Sequence, residues 1–131
     1  MKYLVDTGVL IHSLIAHPKL NRQALELLAD DSSQLYLSAA SSWEITIKAG
    51  TGKLILPQRL FEFVIQAIRL MSLHSLDITH SHVAALERLS NYHRDPFDRM
   101  LIVQARSEGP VLLTADHNRF RREQLKGKAK N

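Results

Sequence analysis

The chain has 131 residues, no cysteine, 45% hydrophobic residues, and 17 Lys and Arg against 13 Asp and Glu, which gives a formal net charge of +4. This length and composition are typical of one globular domain. Without cysteine, disulfides, a thiolate zinc site and a cysteine nucleophile are excluded. No apolar run is long enough to span a membrane, and Asp6 comes too early for a signal peptide, so we expect a cytoplasmic protein.

Short apolar runs alternate with helical patterns along the chain. In chain order, we predict strand Lys2–Val5, helix Asn21–Ala29, strand Leu35–Leu37, helix Ser41–Lys48, helix Pro57–Met71, strand Leu73–Ile78, helix Ser81–Leu89, helix Asp98–Ser107, strand Val111–Leu113, and a last helix after Asp116. Strands separated by helices predict a parallel sheet with right-handed crossovers. We therefore expect one three-layer α/β domain over residues 1–125, with a parallel sheet of four strands, five at most, and a basic, disordered tail at 126–131.

Carboxylates follow the predicted strands. Asp6 follows the first strand, Glu44 lies beyond the second, and Asp116 follows the fourth, while Asp95 and Asp98 open the helix before that fourth strand. Because the carboxyl ends of parallel strands share one edge of the sheet, where α/β proteins bind ligands, we expect these acids to gather there. Their mutual repulsion predicts a hard divalent cation with oxygen ligands among them.

Two of these acids also have a structural interpretation at the start of a helix. Asp6 has the position of an N-cap residue. Ser41 and Glu44 have the spacing of a capping box, in which both side chains serve the helix end. In the alternative, Glu44 turns inward, opposite Asp6, and Trp43 and Ile47 face the core. The sequence leaves these interpretations open.

The acids of the carboxyl-terminal half have the same ambiguity. Asp95 and Asp98 share one face of a helix that begins at Asp95. Asp95 before Pro96 is a good N-cap, which favours Asp98 as the metal ligand and Asp95 as a cap or outer partner. Asp116 suits either role. The seven histidines lack the spacing of a zinc site, so oxygen ligands remain the prediction.

Two other classes of protein share part of this pattern. Asp6-Thr7-Gly8 matches the signature of viral aspartic proteases, but that fold is all-β, whereas most of this chain is predicted helical. A phospho-acceptor signalling domain would need adjacent acids after the first strand and an acceptor Asp in the middle of the chain. The sequence shows neither, so both classes are set aside.

Five motifs together resemble the PIN-domain ribonucleases, in particular the VapC-type toxins of prokaryotic toxin–antitoxin pairs. They occur in family order at Leu4–Thr7, Leu37–Lys48, Gly52–Leu54, His93–Arg99 and Leu112–Asp116. The strings HRDPFDR and SxWEIxIK are the most specific of them. The resemblance spans residues 2 to 120, which is nearly all of the predicted domain.

The resemblance implies cleavage of RNA by an endoribonuclease that uses metal-activated water, with Mg²⁺ or Mn²⁺, and leaves 5′-phosphate and 3′-hydroxyl ends. Carried over by position, it gives as catalytic and metal-binding acids Asp6, Glu44, Asp98 and Asp116, and as accessory residues Asp95, Thr7 and Thr114. It also implies a homodimer and an antitoxin partner. The alternative is a PIN-fold module that binds RNA or protein and has little catalytic activity.

The basic residues complete the prediction. A basic rim around an acidic metal pocket suits a polyanion such as RNA. The candidate RNA-binding residues are Lys48, Lys53, Arg99, Arg119, Arg121 and Arg122. The chain departs from its relatives after Asp116, where a basic segment stands in place of their fifth strand.

A candidate surface for dimerisation lies on the helix predicted at Pro57–Met71. Its apolar face has more hydrophobic side chains than one sheet face readily covers, namely Phe61, Phe63, Ile65 and Ile68. The surplus predicts a self-complementary patch for two-fold pairing.

Overall fold

The computed structural model describes residues 1–14, 29–56, 58–90 and 95–114. Its strands are β1 (Lys2–Val5), β2 (Gln34–Ser38), β3 (His74–Leu76) and β4 (Val111–Leu113). Its helices are α1 (Thr7–Leu14), α2 (Ala39–Gly50), α3 (Leu60–Leu70), α4 (His80–Ala85), which a 3₁₀ turn Leu86–Arg88 follows, and α5 (Pro96–Glu108). Most of the predicted helix Asn21–Ala29, the helix after Asp116 and the basic tail lie outside the described residues.

The described strands form one parallel sheet in the order β3-β2-β1-β4. β1 lies between two neighbours, because Leu4 pairs with Tyr36 of β2 on one side and with Leu112 of β4 on the other. The carboxyl ends of β1, β2 and β4 therefore meet at the same edge of the sheet. The prediction of a four-stranded parallel sheet is confirmed.

Two apolar clusters cover the two faces of this sheet. Tyr3 and Val5 face one cluster, to which α3 contributes Phe63. Leu4 faces the other cluster, to which α5 contributes Leu101. Since alternate residues of a strand point to opposite faces, β1 is buried on both sides by helices. This arrangement confirms the three-layer α/β fold.

The start of α2 differs from the prediction. Ser38, the last residue of β2, is the N-cap of α2, and its Oγ accepts a hydrogen bond from the N–H of Ala40 at 3.0 Å. Ser41 therefore lies inside the helix, and the capping box of Ser41 and Glu44 is wrong. The alternative, in which Glu44 turns inward, is confirmed, since Glu44 is only 5% exposed.

The outward face of α2 also corrects the prediction. Trp43 and Ile47 were expected in the core, but they are 59% and 43% exposed. The buried face of the helix instead consists of Ala40, Ser41, Glu44 and Ile45. Two polar residues thus take positions that hydrophobicity would assign to the apolar ones.

The four apolar residues predicted to form one face of α3 lie on two different sides of the helix. Phe63 is buried, and Ile68 packs against the same cluster. Phe61 is 75% exposed, and it lines an open, mostly apolar depression with Ile65 and Leu70. Dimerisation through α3 stays a prediction, and the surface that it would use is the exposed side of the helix that carries Phe61.

Within the described residues, no helix has the length and apolar character needed to cross a membrane.

Candidate active site

Asp6 connects β1, β4 and α1. Its N–H donates to the carbonyl oxygen of Leu113 at 3.0 Å, and its own carbonyl oxygen accepts from the N–H of Leu10 at 3.0 Å. Its Oδ1 accepts from the N–H of Val9 at 2.8 Å. The N-cap interpretation of Asp6 is therefore confirmed. The side chain is also buried, with 8% of the residue exposed, so the cap holds a carboxylate at the edge of the sheet.

Thr7 and Gly8 shape the surroundings of this carboxylate. A Cβ on Gly8 would lie 3.3 Å from Asp6 Oδ1, which is closer than an ordinary van der Waals contact, so glycine leaves the room that the carboxylate needs. Thr7 is buried, and its hydroxyl has no hydrogen-bond partner among the described residues. A buried hydroxyl in this state costs about 1–3 kcal/mol. A polar ligand at this edge would lower that cost.

Glu44 and Lys48 form an ion pair on α2. Lys48 Nζ lies 2.7 Å from Glu44 Oε2, and the Glu44 side chain is far more buried than that of Lys48. The hydrogen bond to Glu44 is the main reason that the pKa of the Lys48 amine is raised above its usual value. The charges of Asp95 and Asp98 raise the same pKa further. One ammonium group thus lies in the field of three of the predicted acids.

Asp95 and Asp98 lie at the start of α5. Asp95 Oδ1 accepts from the N–H of Phe97 at 2.8 Å and from the N–H of Asp98 at 3.3 Å, and Pro96 occupies the first turn. The prediction that Asp95 caps this helix is confirmed. Asp98, in the same first turn, is half-buried. Its assignment as the ligand of the pair stays a prediction.

A buried polar network, which sequence reasoning missed, connects α2 to α5. Ser38 Oγ donates to Gln104 Oε1 at 2.5 Å, and Gln104 Nε2 donates to the carbonyl oxygen of Asp77 at 3.2 Å. Ser38 and Gln104 are both 0% exposed. A glutamine inside the apolar run Met100–Ala105 is the sequence signal that could have revealed this network.

His82 extends the network towards the end of α5. Its Nδ1 accepts from the N–H of Thr79 at 3.0 Å, while its own N–H donates to Thr79 Oγ1 at 3.2 Å. Its Nε2 lies 3.1 Å from Glu108 Oε1. Since Nδ1 accepts, the neutral ring carries its proton on Nε2 and donates it to Glu108. Thr79 and His82 therefore form a capping box at the start of α4, and His82 is its buried member.

The predicted RNA-binding residues fall into three groups. Lys48 belongs to the acidic cluster, and Lys53 is exposed in the turn after α2. Arg99 donates to the carbonyl oxygens of Ser90 at 2.8 Å and of Leu86 at 3.2 Å, so its guanidinium holds α5 to the preceding turn. The third group lies outside the described residues and consists of Arg119, Arg121 and Arg122.

Whether a divalent cation fits depends on the donor atoms that the residues offer at the carboxyl ends of the strands. Across residues 1–14, 29–56, 58–90 and 95–114, no three His, Asp or Glu side chains form a group that could hold a metal ion, and Asp116 lies outside these ranges. Two buried carboxylates, Asp6 and Glu44, lie on elements that leave this edge. Thr7 and Ser41 add buried hydroxyls without a hydrogen-bond partner in the described part of the chain. Oxygen donors of this kind fit Mg²⁺ or Mn²⁺.

Thr114 follows β4 and is buried at the same edge of the sheet. The structure therefore brings together the ends of the three strands that precede Asp6, Glu44 and Thr114. It also brings the start of α5, where Asp95 and Asp98 lie, against α2, since the rings of Phe97 and Trp43 are in contact.

Two solved structures share this fold at low sequence identity. A chain in the crystal structure of VapBC2 from Rickettsia felis, bound to a DNA fragment from their promoter, is 20% identical, with a TM-score of 0.64 and coverage of 93% of this chain and 92% of that chain. A chain in the structure of VapBC-1 from nontypeable Haemophilus influenzae is 19% identical, with a TM-score of 0.60 and coverage of 98% and 93%. Comparison with curated proteins finds no match.

The model of the PIN domain family matches residues 3–124, which is nearly the whole chain. The match contains all of the described strands and helices except Lys2 of β1. The parallel sheet and its flanking helices agree with the fold of the two VapBC structures. The chain belongs to the PIN domain family.

Proposed function

We propose that this PIN-domain protein is a metal-dependent endoribonuclease that acts as the toxin of a toxin–antitoxin pair. The observation that carries the proposal is the burial of two carboxylates, Asp6 and Glu44, on helices that start from one edge of the sheet, with Lys48 paired to Glu44. Family membership supports the nuclease activity. The two VapBC structures support an antitoxin partner, because each contains a chain with the same fold.

The proposed site holds a divalent cation through the carboxylate oxygens of Asp6, Glu44, Asp98 and Asp116. Such a cation lowers the pKa of a water molecule and offsets the charge that develops on a phosphodiester. Asp6 is held in place by the N–H of Val9, and Asp98 by the cap that Asp95 provides. In this proposal the hydroxyl of Thr114 orients the carboxylates, and the hydroxyl of Thr7, which has no hydrogen-bond partner among the described residues, serves a ligand of the site.

Lys48 has two proposed roles. Its ammonium offsets the charge of the buried Glu44, from which it lies 2.7 Å away. Because 44% of its side chain is exposed, it also reaches solvent, where it can bind the phosphate backbone of RNA. We propose the same backbone contact for Lys53 and for the arginines after Asp116. Arg99 is left out, because its guanidinium already serves backbone carbonyls.

Asp6→Asn tests the site with little disturbance of the fold. Asparagine is as good an N-cap as aspartate, so the hydrogen bond from Val9 survives while the charge is lost. We expect RNA cleavage in Mg²⁺ or Mn²⁺ to fall by orders of magnitude, and a chelator to abolish it. The free energy of unfolding should hold or rise, since repulsion among the carboxylates falls.

Asp31→Asn is the matched control, because it neutralises an exposed acid in the turn before β2. This variant should cleave RNA at the wild-type rate. Full activity of Asp6→Asn would contradict the assignment of the acidic site. RNA that is bound but not cut by the wild-type protein in either metal would favour the alternative of a binding module.

A further inference from the structure

Trp43, which is exposed, and Phe97, which is partly buried, form an aromatic pair between α2 and α5. Their ring centroids lie 5.0 Å apart, and the ring planes meet at 84°, an edge-to-face contact. Such a contact leaves at least one ring face uncovered, and Trp43 is 59% exposed. The exposed ring of Trp43 is therefore accessible to a ligand that stacks on it.

The aromatic pair directly adjoins the candidate active site. Trp43 precedes Glu44 on α2, and Phe97 precedes Asp98 on α5. The contact between the two rings brings the start of α5, where Asp95 and Asp98 lie, against the part of α2 that carries Glu44. The aromatic pair and the acids Glu44, Asp95 and Asp98 therefore lie next to each other, on the same two helices.

We propose that Trp43 and Phe97 stack an unpaired base of the RNA substrate next to the phosphate that is cleaved. The inference rests on the proposed function, because it takes RNA as the substrate. Bases of single-stranded RNA stack on exposed aromatic rings, while nearby lysines bind the backbone. Lys48 supplies such a cation on the same helix, with 44% of its side chain exposed.

A nucleobase fits this surface better than a protein partner does. Aromatic side chains also serve contacts between proteins, and the mostly apolar α3 surface around Phe61 and Leu70 suits such a contact. The pair on α2 and α5 instead offers planar rings beside a lysine and the acids proposed to cut a phosphodiester. Because paired bases are stacked inside a duplex, the pair would direct cleavage to single-stranded segments.

Trp43 is the only tryptophan of the chain, so its fluorescence reports on this position alone. We would titrate the wild-type protein, in a chelator so that RNA stays intact, with a short single-stranded RNA. A ribose-phosphate oligomer of the same length without bases is the control. Stacking predicts that RNA quenches the emission and that the oligomer without bases does not.

Variants then separate stacking from general apolar contact. Trp43→Leu keeps an apolar side chain but removes the ring, and it should weaken binding of labelled RNA by about five- to a hundredfold. Trp43→Phe should restore most of the affinity. Ile47→Ala removes an exposed apolar side chain one turn further along α2 and should leave the affinity unchanged. Circular dichroism and the thermal midpoint check that each variant is folded.

Wild-type affinity in Trp43→Leu, or no quenching by RNA, would overturn the proposal. A change of oligomeric state in Trp43→Leu, with RNA affinity intact, would also overturn the proposal, because the surface would then be a contact between two protein chains. These results are distinguishable from failure of the proposed function. If the protein cleaves RNA and needs Asp6, but Trp43 does not respond to RNA, only the stacking proposal fails.

Discussion

The buried amide of Gln104 gives a prediction whose size follows from its hydrogen bonds. Its Oε1 accepts from Ser38 Oγ, and its Nε2 donates to the carbonyl oxygen of Asp77. Gln104→Met keeps the length of the side chain but removes both polar atoms. The hydroxyl of Ser38 and the carbonyl group of Asp77 then each lose a hydrogen bond.

The two losses differ in size because the partners differ in burial. Ser38 is fully buried, so its hydroxyl loses its acceptor where water cannot replace it, at a cost of about 1–3 kcal/mol. Asp77 is an exposed residue, so solvent can replace part of its lost bond. We expect Gln104→Met to lower the free energy of unfolding by about 2–4 kcal/mol.

Urea denaturation of single and double variants tests this reasoning. Ile102→Val, on the same helix and nearly fully buried, is the control for a purely apolar loss and should cost about 0.5–1.5 kcal/mol. In the double variant with Ser38→Ala, the cost should fall short of the sum of the single costs by about 1 kcal/mol, because one bond is shared. Additive costs, or a loss no larger than that of Ile102→Val, would refute the proposed coupling.

Three further predictions concern charge, the acidic pair and assembly. Lys48→Met should lower the free energy of unfolding at neutral pH by more than the roughly 0.3–0.5 kcal/mol of an exposed helix pair, because it leaves the buried Glu44 without its counter-ion. Glu44 raises the pKa of the Lys48 amine above 10.5, so denaturation curves should show this difference disappear as the pH rises from 10.5 through that raised pKa. Asp98→Asn should reduce RNA cleavage more than Asp95→Asn, and the reverse order would make Asp95 the ligand. Phe61→Asp should convert a dimer to a monomer, which light scattering would show as a halved mass. A monomeric wild-type protein would contradict dimerisation.

The sequence predicted the structure well at positions where the local preference of a residue matches its role in the fold. The apolar runs of β1 and β4 form buried strands, so their positions follow from those runs, and their parallel pairing follows from the helices between them. Asp95 before Pro96 combines the side chain and the backbone angle that start a helix, and α5 begins there. In these places local preference and tertiary packing agree.

The sequence failed at the start of α2 for two physical reasons. Ser38 ends β2 and caps α2 at the same time, so no loop separates the two elements. Apolar and polar residues alternate after it, and Trp43 and Ile47 compete with Ser41 and Glu44 for the buried face. Packing against α1 and α5 decides this competition, and the sequence pattern does not contain that packing.

Helix α2 buries a charged residue and exposes a large apolar one, and this unfavourable arrangement is itself an argument for function. Burying Glu44 costs free energy that Lys48 offsets only in part, because that amine is half in solvent. Exposing Trp43 forgoes the roughly 1.5–3 kcal/mol that burial of a large apolar side chain provides. Proteins depart from such local preferences mainly at functional sites.

A rotation of α2 about its axis would remove both costs, so something must hold the helix in its present orientation. Ile45 is fully buried in the core, and Ser38 connects the start of the helix to Gln104 of α5. These two contacts keep Glu44 facing inward and Trp43 facing outward. The acid proposed to hold the metal and the ring proposed to hold the base therefore depend on the same helix orientation, which couples RNA binding to cleavage through the fold itself.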